Sequence, residues 1–300
     1  MSESIIDDEA FERALGEATT LTGDHETGLF GPDSLMWRVG REAIVFVCAG
    51  RAALLQSAHP FVAAAIDQHS NVRNDPRSRF KSTFINVFDM VFGASEDAMS
   101  RARNVRAIHD HIHGSLPEEV GVFPKGTPYT AHDRHAVQWV HATLAESALK
   151  AFELFHGSLS PEDRERYWRD SLRFAALFGL EAHAMPTTWR DFDAWWHAEL
   201  SGPRLGVTSE ARAICDSLLL GKGSTRALPR WYISLTAGFL PPHLRDAYGL
   251  TFGPMDRRRA ETALARFKTL YPAMPGKLKH VPTYHRALAR INGKPAPDIV

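Results

Sequence analysis

The sequence predicts an all-α fold made of a single multi-helix domain. Apolar residues recur at helical spacing along almost the whole chain, and the sustained apolar–polar alternation that strands need is not visible. The chain has 300 residues, which is long enough to bury a large core and to enclose a ligand. A helical shell around an internal site is therefore the starting hypothesis.

Capping residues and helix breakers mark where the predicted helices begin and end. Ser95 precedes two acids, and Ser160 precedes Pro161 at a first helical position, whereas Gly114 and Gly157 indicate helix ends. The predicted helices are 7–17, 34–56, 60–68, 77–92, 95–113, 131–156, 161–178, 188–200, 208–221, 229–238, 242–247 and 255–271.

The domain organisation follows from the regions outside this pattern. Residues 1–27 are predicted as an N-terminal helical preamble, 28–290 as the helical domain, and 291–300 as a flexible tail rich in Pro and Gly. The longest run without helical periodicity, 114–133, carries three prolines and three glycines. A connection of this length inside a compact domain is typical of a functional or lid-like segment.

Charge and cysteine content exclude several classes of protein. The chain has 35 basic and 35 acidic residues and no basic stripe, which is not typical of a nucleic-acid-binding protein. Cys48 and Cys215 lie far apart, so no disulfide framework is expected and the compartment is expected to be reducing. The N-terminus is acidic and the apolar stretch 43–55 is shorter than the roughly 20 residues of a membrane span. We expect a cytoplasmic protein without a transmembrane segment.

The segment VRAIHDHIHG (105–114) is the most prominent histidine cluster. In a continuous helix Arg106, His109 and His113 share one face, whereas His111 points elsewhere. The neighbours of His109 include Val105, so its side of the helix is partly apolar. Metal ligation by one ring nitrogen and a hydrogen bond from the other would satisfy such an imidazole. A solvent-facing polar stripe remains the alternative.

Three further histidines lie in helical settings. His59 stands before Pro60 and is expected to cap a helix start, His69 lies near a helix end, and His141 follows the apolar residues WV. A hydrogen-bonded core imidazole is the alternative for His141. The chain lacks the common zinc, di-iron, covalent-haem, hydrolase, nucleotide and dinucleotide motifs. A reaction that side chains cannot catalyse on their own would then depend on a cofactor held by imidazole.

Four ordered blocks of sequence carry a family resemblance. They are HPFVAAAIDQHSNVRNDPRSRFKST (59–83), RNVRAIHDHIHG (103–114), YTAHDRHAVQWVHATLAESALKAFE (129–153) and LPPHLRDAYGL (240–250). Together they resemble the DUF2236 family, also called the MpaB oxygenase or rubber-oxygenase catalytic domain family. The similarity extends from about residue 28 to about residue 272.

The resemblance implies a globin-like core around non-covalently bound haem b and dioxygen-dependent oxidation or cleavage of apolar molecules. The family's R-x-x-H pattern falls on Arg106 and His109, which implies His109 as the iron ligand and Arg106 as a partner of a haem propionate. The family's Arg and Thr four residues apart fall on Arg79 and Thr83, implied as catalytic residues that face the pocket or the haem carboxylates. His113 is implied as a further residue near the cofactor.

Three departures from the family pattern affect the expected substrate. Latex-clearing proteins carry a lysine where this chain has Ser82, a glutamate where it reads VAAA (62–65), and an arginine at position 113. Without that glutamate polyisoprene cleavage is not expected, so we expect another hydrophobic small molecule and dioxygen as the reactants. The distal pocket is expected to be lined by Phe61, Ala64, Phe84 and Phe88.

Two other hypotheses remain open at the level of sequence. One is a non-haem metal site drawn from His59, His69, His109 and His141, because imidazole suits iron, zinc and copper alike. The other is a non-enzymatic helical protein that binds haem or another ligand.

Overall fold

The computed structural model describes residues 4–20, 25–70, 75–222, 226–295 and 297, with only the backbone described at residue 20 and at 76–80. The predicted all-α class is confirmed, since helices dominate these residues and the strands found among them form one small hairpin. Residues 1–3 and 21–24 of the predicted preamble, and 296 and 298–300 of the predicted tail, lie outside the described residues.

The helices are α1 Asp8–Thr20, α2 Leu35–Gly40, α3 Ala49–Ser57, α4 Pro60–His69, α5 Pro76–Phe92, α6 Ser95–His109, α7 Arg134–His156, α8 Pro161–Ala176, α9 Trp189–Leu200, α10 Ser209–Leu218, α11 Arg230–Phe239, α12 Pro242–Ala247, α13 Pro254–Leu270, α14 Gly276–Lys279 and α15 Pro282–Ile291. Strand β1 His113–Ser115 pairs antiparallel with β2 Pro128–Thr130. Short 3₁₀ turns lie at Ala43–Cys48, Ala182–Ala184 and Tyr271–Ala273.

Helix α7 runs through the main core and packs against α3 and the 3₁₀ turn Ala43–Cys48. Three buried tryptophans anchor this core, and each donates its indole N–H to a backbone carbonyl: Trp37 to Val91, Trp139 to Leu55 and Trp168 to Pro186. The large rings are thus buried without an unpaired donor. This packing determines which residues of α3 and of the 3₁₀ turn face α7.

The predicted helix 34–56 is wrong in its middle, because the chain leaves the helical conformation at residues 41–42. The backbone carbonyl of Arg41 accepts a hydrogen bond from Val281 N, and Glu42 forms an antiparallel bridge with His280. Tyr271 also donates its hydroxyl hydrogen to the buried Glu42 carboxylate. Long-range pairing therefore outweighs local helical propensity at this point.

The predicted helix 95–113 is also too long. Helix α6 ends at His109, and the chain turns into β1, where His113 pairs with Thr130. The run 114–133 contains this hairpin, a bridge between Val120 and Phe123, and a hydrogen bond from Val122 N to Pro203 O. It is thus a structured surface segment that contacts several parts of the chain.

The first and last described helices, α1 and α15, pack onto other helices of the domain. Phe11 and Leu15 of α1 are buried in the main core, and α1 lies against α8. Helix α15 was absent from the sequence prediction, although Pro282 stands at its first position. The proposed boundaries at 28 and 290 stay a prediction.

No helix within the described ranges is by itself long and apolar enough to cross a bilayer. Ala43–Ser57 and Pro60–His69 pass that test only together, as a pair bent by 100°.

Candidate functional site

Helix α6 carries the predicted iron ligand at its last position. Ala98 and Ala102 are buried, and Val105 and His109 continue the same face at helical spacing. The His109 side chain is half-buried, and its ring centroid lies 6.1 Å from that of His132. His109 thus lies where the packed face of α6 meets the segment that precedes α7.

Arg106, one turn before His109, is bound by the N-terminal segment in this structure. Its guanidinium donates to Ile6 O at 2.8 Å and to Asp8 Oδ1 at 2.9 Å, and it lies over the ring of Phe11 at 5.4 Å from the centroid. The predicted pairing of Arg106 with a haem propionate would require it to give up at least one of these partners. That pairing stays a prediction.

His132 links Arg106 to Asp110 next to His109. An arginine can only donate, so His132 Nδ1 accepts from Arg106 at 3.1 Å. His132 Nε2 then donates to Asp110 Oδ1 at 2.8 Å. Burial lowers the pKa of His132, whereas the hydrogen bond to Asp110 opposes the shift. The imidazole beside His109 is therefore held neutral in one tautomer.

His113 does not share the face of Arg106 and His109, which corrects the sequence prediction. It lies on β1, beyond the end of α6, and its side chain is exposed. Its backbone carbonyl accepts a hydrogen bond from His69 Nε2 at 3.0 Å. His113 and His69 are thus brought together by a structural contact between α4 and β1.

The predicted pair Arg79 and Thr83 lies on α5, which packs against α6. The side chain of Arg79 lies outside the part of the chain that the structure describes. Thr83 is half-buried and immediately precedes Phe84. The roles assigned to both residues stay predictions.

His59 and His141 are buried and have separate partners. His59 Nε2 lies 3.2 Å from His135 Nδ1, and His141 Nε2 lies 3.2 Å from Ser171 Oγ. Burial is the main cause that lowers the pKa of each histidine to about 3, so both rings are neutral. Across the described ranges no group of three or more His, Cys, Asp or Glu side chains is arranged to hold a metal ion.

An apolar cavity of about 90 Å³ lies between α2, α3, α5, α7 and α8. Of the four residues predicted for the distal pocket, Phe84 and Phe88 line this cavity, whereas Phe61 and Ala64 do not and belong to a separate cluster near β2. That the cavity is a distal haem pocket stays a prediction. The other lining residues are Met36, Val39, Gly40, Val45, Cys48, Ala49, Ala52, Val87, Val91, Leu144, Ala145, Ser147, Ala148, Tyr167, Ser171 and Phe174. The cavity wall is mostly carbon.

A buried ion pair lies next to this cavity, and sequence reasoning did not find it. Arg51 forms a short ion pair with Glu146 and donates to Ser147 Oγ at 2.7 Å and to Phe239 O at 3.0 Å. The only signal in the sequence was Arg51 within an apolar stretch. Cys48, a lining residue, stays protonated because burial raises the pKa of its thiol to about 12, so it is not a nucleophile at neutral pH.

A second cavity of about 260 Å³ lies at the start of α7. His59 and His135 line it together with Ser4, Phe61, Phe123, Asp133, Arg134, Gln138 and Arg204. The two cavities have no lining residue in common.

The residue type at position 109 would suit an iron ligand, because an unprotonated imidazole offers a nitrogen to iron. The volumes of the two cavities fit a porphyrin less well. Neither cavity is lined by His109, and 260 Å³ and 90 Å³ lie below the roughly 300–1,000 Å³ of pockets for larger ligands. A porphyrin at His109 would therefore need more room than these two cavities provide.

Fold and site together define a helical protein with a small, mostly apolar interior cavity beside a buried ion pair. The chain belongs to the family described as ER-bound oxygenase mpaB/B'/Rubber oxygenase, catalytic domain, whose profile matches residues 37–270. The predicted family is thus confirmed, and the chain is assigned to an enzyme class of oxygenases. Comparisons with curated proteins and with solved structures gave no significant match.

Proposed function

We propose that this chain is an oxygenase that holds haem b through His109 and oxidises a hydrophobic small molecule other than polyisoprene with dioxygen. The observation that carries the proposal is the family match, which spans residues 37–270 and includes His109 at the end of the packed face of α6. A haem held by one imidazole supplies dioxygen activation when bound.

The surroundings of His109 support a role as a ligand. The neutral His132 and the cation of Arg106 lie on one side of it, and both are fixed by Asp110 and the N-terminal segment. Fixed neighbours orient a ligating imidazole and tune its basicity. Arg106 would also offer a positive charge to a carboxylate once it is released from Asp8.

The apolar cavity supports a hydrophobic substrate. Phe84 and Phe88 lie on α5, the same helix as the proposed catalytic Arg79 and Thr83, and none of the lining residues is a carboxylate. Residues 62–65 of α4 also lack one, and two of the four are buried alanines. A group able to abstract an allylic proton is thus missing where latex-clearing proteins have a glutamate, which is why polyisoprene is not proposed.

His109→Ala is expected to remove most of the Soret absorbance that hemin produces when added to the purified full-length chain. His111→Ala is the matched control, because His111 is exposed and lies two residues away; it is expected to bind hemin like the unchanged protein. Equal Soret bands in both variants would contradict the role of His109. Metal found by elemental analysis without porphyrin would favour the non-haem alternative.

Ala148→Phe is expected to fill the apolar cavity without removing haem binding. Ala148 is half-buried and lines the cavity, and the larger ring takes up the space next to Phe84. Hemin binding should stay intact, whereas dioxygen consumption stimulated by an apolar substrate should fall at least about ten-fold, which corresponds to the loss of about 1.4 kcal/mol of transition-state stabilisation. A melting curve checks that overpacking, which costs roughly 1–3 kcal/mol, leaves the protein folded. Unchanged oxygen consumption would place the substrate elsewhere.

A further inference from the structure

Two histidines that line the cavity at the start of α7 form a chain of titratable side chains with Glu199, which lies outside the cavity lining. His59 Nε2 lies 3.2 Å from His135 Nδ1, and His135 Nε2 lies 3.0 Å from Glu199 Oε2. His59 is 1% exposed, whereas Glu199 on α9 is half-buried. The chain thus connects the interior to the edge of the protein.

The Glu199 carboxylate determines the direction of the hydrogen bonds between these three side chains. An ionised Glu199 can only accept, so His135 donates from Nε2 and its Nδ1 accepts from His59 Nε2. His59 Nδ1 is then an acceptor, and within the described residues this buried atom has no hydrogen-bond partner. Both rings are therefore neutral in this arrangement, and the site can take up a proton.

Positive charge predominates among the other lining groups. Arg204 is exposed, and no carboxylate of the described residues forms an ion pair with it. Arg134 lies 3.9 Å from Glu181, a long ion pair. The Asp133 carboxylate caps α7, where its Oδ1 accepts from Ala136 N at 2.8 Å, and its charge also acts on Arg204 and His135, so the lining carries two guanidinium charges against one carboxylate. An anion that enters the cavity would thus meet a guanidinium at the cavity edge.

Aromatic rings form the inner wall. The centroids of Phe61 and Phe123 are 4.8 Å apart at an interplanar angle of 48°, and His59 lies 5.4 Å from Phe61. Such a wall favours a flat apolar ring, which packs against aromatic edges and faces. A volume of about 260 Å³ limits the ligand to a small molecule.

We propose that this cavity is a second ligand site, separate from the apolar cavity, which binds a small aromatic carboxylate with its ring against Phe61 and Phe123 and its carboxylate on Arg204. The site combines an apolar wall with one cation at the edge, which is the arrangement that recognises a flat acid. The two cavities share no lining residue, so the proposal does not depend on haem or on the oxygenase reaction.

Binding is expected to be linked to proton uptake. His135 faces His59, which precedes α4, Asp133, which caps α7, Glu199 on α9 and Arg204 after α9. Burial is the main cause that lowers the pKa of His135; Arg204 lowers it further, and Glu199 and Asp133 oppose the shift. A bound carboxylate would neutralise Arg204 and so raise the pKa of His135. Affinity should therefore increase as the pH falls from 8 to 6.

The test is a calorimetric titration of the full-length chain with benzoate, with benzyl alcohol as the uncharged analogue. Benzoate should saturate one site and bind at least about ten-fold more tightly than benzyl alcohol, the effect of a charge-assisted hydrogen bond. Arg204→Gln should weaken benzoate binding by a similar factor and leave benzyl alcohol binding unchanged. Arg190→Gln, at an exposed arginine near the start of α9 that does not line the cavity, should bind benzoate normally.

Three outcomes would overturn the proposal. They are no saturable benzoate binding at millimolar concentration, equal binding of benzoate and benzyl alcohol, and benzoate binding that survives Arg204→Gln. The last result would place benzoate in the apolar cavity or elsewhere. Since Arg204 is exposed, its replacement is not expected to unfold the protein, and a melting curve checks this.

Discussion

Acidification from pH 7 to pH 5 is expected to lower the free energy of unfolding by about 4 kcal/mol through His59 and His141 alone. Burial lowers the pKa of each from 6.5 to about 3 in the folded protein. Between these values the unfolded chain binds a proton that the folded protein does not bind. The contribution of each neutral histidine to the free energy of unfolding is therefore fully present above the pKa that histidine has in the unfolded chain, and it is lost as the pH falls towards 3. At pH 5 the loss is about 2 kcal/mol for each histidine.

The variant His141→Gln measures how much of this loss of stability is due to His141. Glutamine does not titrate, so about 2 kcal/mol of the difference between pH 7 and pH 5 should disappear, whatever the stability of the variant at neutral pH. His197→Gln is the control, since the His197 side chain on α9 is exposed and its replacement removes no buried imidazole. Urea unfolding at a series of pH values measures the effect. An unfolding free energy that is equal at pH 5 and pH 7 would contradict burial of the two neutral rings.

Arg51→Met is expected to destabilise the protein by about 3–5 kcal/mol. Arg51 is 4% exposed and holds Glu146, Ser147 Oγ and the carbonyl of Phe239 together beside the apolar cavity. Removal of the guanidinium leaves the Glu146 carboxylate poorly solvated and uncompensated, which is the costly way to break a buried pair. Chemical denaturation at pH 7 measures the change.

Two further variants separate this effect from a general loss of packing. Arg51→Met combined with Glu146→Leu removes both charges and should recover most of the stability. Arg166→Met breaks an exposed pair with Asp163 on α8 and should cost less than about 1 kcal/mol. A double variant as unstable as Arg51→Met would show that the packing of Arg51, rather than the charge left on Glu146, causes the loss.

Helical periodicity and caps predicted most of the fold. Ser160 caps α8 through Asp163 N with Pro161 at the first position, and Gly157 ends α7 with a φ of 83°. The errors occur where distant segments meet. Residues 41–42 pair with 280–281, and His113 pairs with Thr130. Local sequence carries no information on such partners, so the predicted helices continued through both positions.

The candidate site was predictable only in part for the same reason. The family pattern predicts His109 as the iron ligand, which stays a prediction, and helical spacing put Phe84 and Phe88 on one face of α5, where they line the apolar cavity. The contacts of Arg106 with Ile6 and Asp8 required knowledge of where α1 packs. The chain of His59, His135 and Glu199 joins three elements, so no spacing rule reveals it.

We propose that His109 holds haem b in this member of the oxygenase family. The most direct measurement is the optical spectrum of freshly purified full-length protein, expressed with a haem precursor, together with the haem content per chain. One haem per chain and a Soret band that shifts on reduction with dithionite are predicted. A colourless protein that contains no iron and gains no Soret band from added hemin would contradict the claim.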